Sequence, residues 1–523
     1  MRRSAASVIL LTVIAITVVG LVGAGLWLGA ATPKSGGGTA AEARVNVVIY
    51  LIDTLRADRV GAYGYAKGKT PNIDALAKES VLFERHSSAA PWTLPSISTL
   101  QTSLLPCEHS VLVDGQRISS GVQTLAERMS ALGMKTGAFF SNPYAGATSG
   151  LHRGYEVSTF MRSRDAFNLG AWFDEAKGKP FYLYAHTMEV HDPYQTPDRF
   201  LKQFGDVPRE TRVLLQQVMR GYRDLTKIDF AAKRKPGTTD NTAQQKQAME
   251  SLMRARDTVN TLYDASVCWS DDNLGRVIAQ IKQRKLWDVT LFILTADHGE
   301  EMGEHGGWQH DQSAYEELLH VPLIIKFPKG QFAGTRVKPN VASVDVLPTI
   351  FDAIGQVQAT GEARGVSLMP LIRDAAADAP TNARRFASMR HNIKKYYKPS
   401  KEQRGDINVV VREGNWKAIW NVEPGTLELF DLASDPGELK NLATTETERA
   451  ASMLAFAKEH YAKCLSSAKQ AENVGIEGID KQSRQILDQI GYIGKAADED
   501  EDDEAGGAAS KPTSRPTTKP AQP

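Results

Sequence analysis

A series of short, mainly apolar runs separated by longer amphipathic stretches constrains this chain most. Val47 to Ile52 (VVIYLI), Lys135 to Phe140, Phe181 to His186, Asp288 to Thr295 and Pro322 to Lys326 are runs of this kind. They lack the polar–apolar alternation of a half-exposed strand, so they read as strands buried on both faces. Between them lie helical patterns. From Tyr263 to Arg284, for example, Tyr263, Val267, Leu274, Val277, Ile278 and Ile281 recur at three- and four-residue steps. Strands alternating with helices predict an α/β fold with a large, mostly parallel sheet flanked by helices. Ligands of such sheets bind beyond the carboxyl ends of the strands. The residues that follow each run are therefore the first candidates for chemistry.

The rest of the chain is organised around this body, residues 45–383. Within it, residues 204–250 are polar and read as a helical insertion. Residues 384–495 switch to short strands (Ile407 to Arg412, Trp416 to Trp420, Leu427 to Phe430) and a helix near 445–470, which predicts a smaller C-terminal α+β domain. Residues 496–523 carry seven consecutive acids, Asp498 to Glu504, and a Pro/Thr/Ser/Lys tail with almost nothing to bury. At the other end, Arg2 and Arg3 precede an uncharged stretch from Ser7 to Ala31. That stretch exceeds the ~20 residues needed to cross a bilayer as a helix. Residues 1–31 are thus expected to be a transmembrane signal anchor, or a signal peptide if cleaved near Gly29-Ala30-Ala31, and residues 32–44 a linker. The two arginines predict the bulk of the chain outside the cytoplasm. Three cysteines, Cys107, Cys268 and Cys464, are too scattered for a disulfide framework and read as ordinary thiols. A net charge of +1 gives no field for nucleic acid.

Four segments carry the candidate chemistry. Asp53 ends the first run, in LIDTLRAD; alone it reads as a cap or turn residue. Thr93, in APWTLPSISTL, lies where Pro95 suits the first turn of a helix. Thr93 or Ser96 is then either simply the helix cap or a hydroxyl at a helix N-terminus, where N–H groups and the dipole favour an anion. Thr295 to Gly306 (TADHGEEMGEHG) follows a buried strand, with Gly299 permitting a sharp exit and His310 a few residues on. His186 to Tyr194 (HTMEVHDPY) follows another. Five of the eleven histidines, at 186, 191, 298, 305 and 310, fall in these two loops. Histidine is a common metal ligand and general acid–base group, so the clustering points to a reactive site.

In this order the segments resemble the sulfatase family of the alkaline phosphatase superfamily. LIDTLRADRVGAYGY and TPNIDALAKESVLFERHSSAAPWTLPS resemble its opening metal strand and nucleophile segment. TADHGEEMGEHG and YEELLHVPLII resemble its second metal segment, and SVDVLPTIFDAIG, GVSLMPLI, LELFDLASDPGELKNL and LDQIGYIG its later landmarks. The resemblance implies an alkaline phosphatase-like fold. It implies that Asp53, Asp297 and His298, with Thr93, ligate a divalent metal (Ca2+, Mn2+ or Zn2+). One metal site is expected. A second stays open, with Glu189, His191 and His310 as its ligand candidates. Thr93 falls at the nucleophile position, and His191 and His310 at active-site positions near the transferred group.

The sequence also departs from that pattern. Sulfatases oxidise Cys or Ser at the nucleophile to formylglycine; Thr93 carries a Cβ methyl and cannot become an aldehyde. Ile97 stands for the signature Arg, Thr54 for the second Asp of the opening pair, and Asp297-His298 for the usual Asp-Asn. An acid, a Thr and an Asp-His pair resemble the Thr-nucleophile phosphodiesterases and phosphotransferases of the superfamily. The expected function is metal-dependent hydrolysis of sulfate or phosphate esters, with phosphodiester or phosphonate chemistry favoured. The alternatives are an envelope head-group phosphotransferase and an anion-binding pseudoenzyme. The expected partners are an anionic ester and, through the N-terminal helix, a membrane.

Overall fold

The computed structural model describes residues 45–161, 168–231, 242–311, 313–374, 385–391, 407–490 and Tyr492. Eight strands form one mixed sheet: β1 (Asn46–Ile52), β2 (Val81–Ser87), β3 (Lys135–Phe140), β4 (Val157–Phe160), β5 (Phe181–Thr187), β6 (Thr290–Thr295), β7 (Leu323–Lys326) and β8 (Arg336–Ala342). Their spatial order is β8-β2-β7-β6-β1-β5-β3-β4. Only β7 runs against its neighbours, β6 and β2; every other pair is parallel. The central strands β1, β5 and β6 are buried at every residue, which is why they read as continuous apolar runs. The edge strands β4 and β8, and β2 beside β8, were not legible as such runs. Glu84 and Arg85 of β2, for instance, are half-buried.

One core fills each face. The first packs Val48, Tyr50 and Ile52 against the long helix α2 (Arg256–Gln283), through Leu262, Leu274 and Ile281. The second packs Val47, Ile49 and Leu51 against the helix α1 (Thr93–Thr102), through Leu94 and Ile97. This alternation along β1 sends successive side chains to opposite helical layers. The polar insertion contains helices at Arg209–Ala231 and Thr242–Arg254.

A second, antiparallel sheet has the order β9 (Arg385–His391), β10 (Ile407–Glu413), β11 (Trp416–Asn421), β12 (Thr426–Asp431). The helix α3 (Thr447–Ser466) covers it, and α4 (Lys481–Gln489) follows. Buried Lys417 of β11 ties this sheet to the main body, with Nζ 2.9 Å from Glu316 and 2.7 Å from Glu438.

One expectation is corrected here. Cys107 and Cys464 form a disulfide, with Cα atoms 5.8 Å apart across 357 residues, and only Cys268 is a free, buried thiol. The pairing was invisible in the sequence because α3 brings the two positions together only when it docks beside Pro106–His109. The apolar stretch Ser7 to Ala31 lies outside the described residues. Among the described residues no helix is long and apolar enough to cross a membrane.

Candidate active site

The parallel register builds the site. Ile52 of β1 pairs with Thr187 of β5, and Leu51 with Thr295 of β6. Asp53 and the loops that start at Met188 and Ala296 therefore emerge side by side at the carboxyl ends of the central strands. The Asp53 N–H continues the ladder by donating to Thr187 O at 2.9 Å.

Thr54 then turns the chain with a left-handed φ of 59°, unusual for a β-branched residue. Three bonds hold it there. The Tyr263 hydroxyl donates to Thr54 O at 2.6 Å, the Thr54 hydroxyl to Asp53 O at 2.7 Å, and the Thr54 N–H to Asp297 Oδ1 at 3.3 Å. Thr54 thus serves the site through its backbone, although it lacks the family's carboxylate.

Thr93 is the first residue of α1, capped by Trp92, and the whole helix is buried. Neither Thr93 nor Ser96 acts as a helix cap. Ser96 instead donates to Asp297 O at 2.5 Å, locking the helix to the loop after β6. Gly299 fits because a Cβ there would overlap the Glu317 carbonyl.

The four residues expected at the metal converge. Thr93 Oγ1 lies 3.2 Å from His298 Nε2. His298 Nε2 lies 3.7 Å from Asp53 Oδ1 and 3.5 Å from Asp297 Oδ2. His298 donates its Nδ1–H to Gly299 O at 2.8 Å, which leaves a lone pair on Nε2. Asp53 Oδ1 and Asp297 Oδ2 are buried and have no hydrogen-bond partner. Two carboxylate oxygens, an imidazole lone pair and a hydroxyl therefore face one another. That donor set suits a hard or borderline divalent ion. Asp53, His186 and Asp297 also present ligand atoms within 4.8 Å of one another. His186, however, already bonds Asp53 Oδ2 through Nε2 at 2.9 Å, so His298 is the better ligand.

Burial and the Asp53 charge push the Asp297 carboxyl up. Burial acts on Asp53 too, but the His186 hydrogen bond and the surrounding imidazoles outweigh it and hold Asp53 below the usual carboxylate range.

His191 and His310 flank the cluster. Their rings are 5.1 Å apart, and His310 is 4.7 Å from the His298 ring. His191 donates Nδ1–H to Asp192 O at 2.7 Å and turns Nε2 inward. His310 Nδ1 lies 3.3 Å from Glu300. His191, Asp192 and His310 form a second group with ligand atoms within 4.8 Å. Glu189, a sequence candidate for that second site, is not part of it. It turns the other way, accepting from Asn273 at 2.7 Å and Ser270 at 3.4 Å. His305 also leaves the site, bonded to Glu317 and stacked on Tyr315.

Two residues escaped the sequence reading. Asn142 donates to Asp53 Oδ2 at 3.0 Å and approaches Thr93 Oγ1 at 3.5 Å. It follows β3, so the strand-end rule could have found it. Tyr492, in LDQIGYIG, has its hydroxyl 2.6 Å from Thr93 Oγ1 and 3.2 Å from His191 Nε2. The segment stood out only as a landmark of the resemblance, and nothing local placed Tyr492 at the site, since it arrives from the far end of the chain.

Comparison with known proteins agrees with this geometry. A family model described as Sulfatase matches residues 45–356, and one described as N-sulphoglucosamine sulphohydrolase, C-terminal, matches residues 303–461. The chain is 23% identical to a choline-sulfatase of Rhizobium meliloti (strain 1021), over 76% of this chain and 82% of that protein. It is 24% identical to the multifunctional alkaline phosphatase superfamily protein PehA of Trinickia caryophylli, over 76% of this chain and 91% of that protein. The crystal structure of the phosphonate monoester hydrolase of Agrobacterium radiobacter superposes with a TM-score of 0.58 at 21% identity, covering 82% of this chain and 97% of the other. With more than half its length matched by the family model and its strand ends carrying this acidic, histidine-rich cluster, the chain belongs to the sulfatase family.

Proposed function

We propose that this sulfatase-family hydrolase of sulfuric or phosphoric esters acts on a phosphodiester or phosphonate ester, with Thr93 as its nucleophile. The observation that carries this reading is the Thr93 hydroxyl, buried 3.2 Å from His298 Nε2 beside two carboxylate oxygens that lack partners. Its Cβ methyl bars the aldehyde route, so the ester must form on a plain alcohol oxygen.

Asp53, Asp297 and His298, with Thr93, would hold a divalent cation. Family members are metal-dependent, and such an ion supplies Lewis-acid stabilisation and a lowered hydroxyl pKa. Ca2+, Mn2+ and Zn2+ all suit the donors.

The chain's own groups do the rest. The Thr93 hydroxyl passes its proton to one of the two flanking imidazoles, Oγ attacks phosphorus in line, an Oγ–P bond forms, and the P–O bond to the organic group breaks. The departing oxygen takes a proton from His191 or His310, whose rings stand beside the cluster. N–H groups at the start of α1 favour the negative oxygens of the transferred group. Water then cleaves the Thr93 ester and restores the hydroxyl. An acceptor alcohol in place of water would make the same site a head-group transferase; radiolabel found in lipid rather than in released product would mark that outcome.

The test is a panel of aryl sulfate, phosphate monoester, phosphodiester and phosphonate substrates, with each metal added back and Thr93→Ala alongside. The expected best substrate is a phosphodiester or phosphonate. Full activity in Thr93→Ala, or a preference for the sulfate, would overturn the reading.

The catalytic body is further proposed to lie outside the cytoplasm, held to the membrane by residues 1–31. Support comes from the Arg2-Arg3 flank before the apolar stretch and from the Cys107–Cys464 disulfide, a bond of oxidising compartments. Protease added to intact cells should remove the catalytic body; full protection would refute this placement.

A further inference from the structure

The nucleophile is buried among the described residues. Thr93, Asp53, His191 and His298 are fully buried, and Tyr492 is 3% exposed. A hydroxyl oxygen has three directions besides its own carbon. Around Thr93 Oγ1 they are taken by His298 Nε2 at 3.2 Å, Asn142 Nδ2 at 3.5 Å and Tyr492 Oη at 2.6 Å. A reacting phosphorus or sulfur must come to ~3–3.5 Å along one of them. One neighbour has to leave.

Two of the three are fixed. The His298 N–H and Nδ1–H donate to Asp297 Oδ1 and Gly299 O. Asn142 donates to Asp53 and accepts from the Tyr144 N–H at 3.1 Å. Tyr492 lies two residues beyond Ile490, the C-cap of α4, a helix of which only Leu487 is buried. Its backbone N–H returns to Leu487 O at 2.7 Å. Its ring is held by other rings, with centroids 5.1 Å from Tyr144, 5.5 Å from His310, 5.6 Å from His191 and 6.3 Å from Trp92.

We propose that the Tyr492 ring is a displaceable plug, its phenol occupying the seat of the transferred group over Thr93 until an incoming ester pushes the ring aside. The proposal rests on the reading of this cluster as the active site, but its test needs no turnover. The phenol oxygen lies between Thr93 and His191, where an oxygen of a tetrahedral anion would sit. The seat it vacates is walled by Trp92, Tyr144 and two imidazoles, which favour a planar ring over a charged chain.

The experiment compares full-length wild type, Tyr492→Phe and Tyr492→Ala for binding of tungstate, a tetrahedral oxyanion, in the presence of Mn2+. If the open state is populated at roughly a tenth, the plug weakens apparent affinity about tenfold. Tyr492→Ala should therefore bind tungstate about tenfold more tightly, and Tyr492→Phe by a smaller factor, since it keeps the ring and loses the 2.6 Å bond. Equal affinity in wild type and Tyr492→Ala would overturn the proposal. So would weaker binding in Tyr492→Ala, which would make the phenol a ligand of the anion rather than its competitor. Should Tyr492→Ala fail to fold, wild type labelled with 3-fluorotyrosine gives the answer. The Tyr492 resonance, assigned by its loss in Tyr492→Phe, should shift and sharpen on adding tungstate; an unmoved resonance at saturation refutes the plug. Inactivity on every ester, or full activity in Thr93→Ala, would count against the proposed chemistry and leave these binding results unaffected.

Discussion

Replacing Asp297 by Asn should stabilise the metal-free protein while abolishing its response to metal. Asp297 Oδ1 accepts the His298 N–H at 2.9 Å and the Thr54 N–H at 3.3 Å. Asparagine keeps that acceptor. Oδ2 is the oxygen without a hydrogen-bond partner, 3.5 Å from the His298 Nε2 lone pair. The amide NH2 would put a donor there in place of a buried charge. Asp53 and Asp297 offer oxygens within 4.8 Å of each other. Two unit charges at that spacing repel by about 3 kcal/mol at an effective dielectric of 20. Nearby imidazoles offset part of this, so a gain of about 1–2 kcal/mol is expected for Asp297→Asn without metal. Wild type should respond oppositely, gaining about 2.7 kcal/mol at a metal concentration a hundredfold above Kd. Unfolding entropy near 2.1 cal/mol/K per residue makes that a rise of roughly 2–3 °C in Tm for a cooperative unit of this size. Calorimetry in EDTA and then with Ca2+, Mn2+ and Zn2+ separates the two effects, and esterase activity should vanish in the variant throughout. A metal-free variant less stable than wild type, or one that still gains Tm with metal, would refute the assignment of Asp297 as a ligand.

Three further outcomes follow from the geometry. Thr93→Ser keeps the attacking oxygen and should retain activity within about tenfold, whereas Thr93→Ala should lose at least ~10³-fold, measured as kcat/KM on the best ester. His86 and His109 are fully buried, and desolvation pushes each imidazole down to about 3. A depressed histidine pKa means the native state binds fewer protons than the unfolded chain, so stability is present above about pH 6.5 and lost as pH falls towards 3. Each should forfeit about 2 kcal/mol by pH 5, read as a falling urea midpoint, and a midpoint unchanged between pH 7 and 5 would contradict this. Cys464→Ser opens a link across 357 residues and should cost about 2–5 kcal/mol, matched by dithiothreitol treatment of wild type but not of the variant.

The central strands and their ends were legible because burial on both faces forces continuous apolar sequence, and a parallel sheet gathers its strand ends at one edge. That is how Asp53, Asp297, His298 and His191 stood out, while Thr93 came from the helix start at Pro95, and the roles of these residues and His310 came from the family resemblance. What stayed hidden depends on distance in the chain. Tyr492 meets Thr93 across 399 residues and Cys107 meets Cys464 across 357, and neither pairing leaves a local pattern. β2 and β8 were missed for another reason. β2 is interrupted by half-buried Glu84 and Arg85, and the edge strand β8 alternates exposed and buried residues at its start.

The two departures from the family pattern beside the nucleophile and the first metal strand are absorbed in different ways. Ile97 points into the core shared by β1 and α1, fully buried among apolar side chains, so the position of the signature Arg belongs here to packing. In the proposed reaction the transferred group meets the imidazoles of His191 and His310 instead, which flank the cluster. Thr54 keeps a strained left-handed backbone that costs roughly 1–3 kcal/mol, pinned by Tyr263 and Asp297. The strain aims Asp53 at the same point as Asp297, His298 and the Thr93 hydroxyl. Thr in place of the second acid at position 54 therefore changes how many carboxylates reach the proposed cation site, not whether Asp53, Thr93, Asp297 and His298 converge.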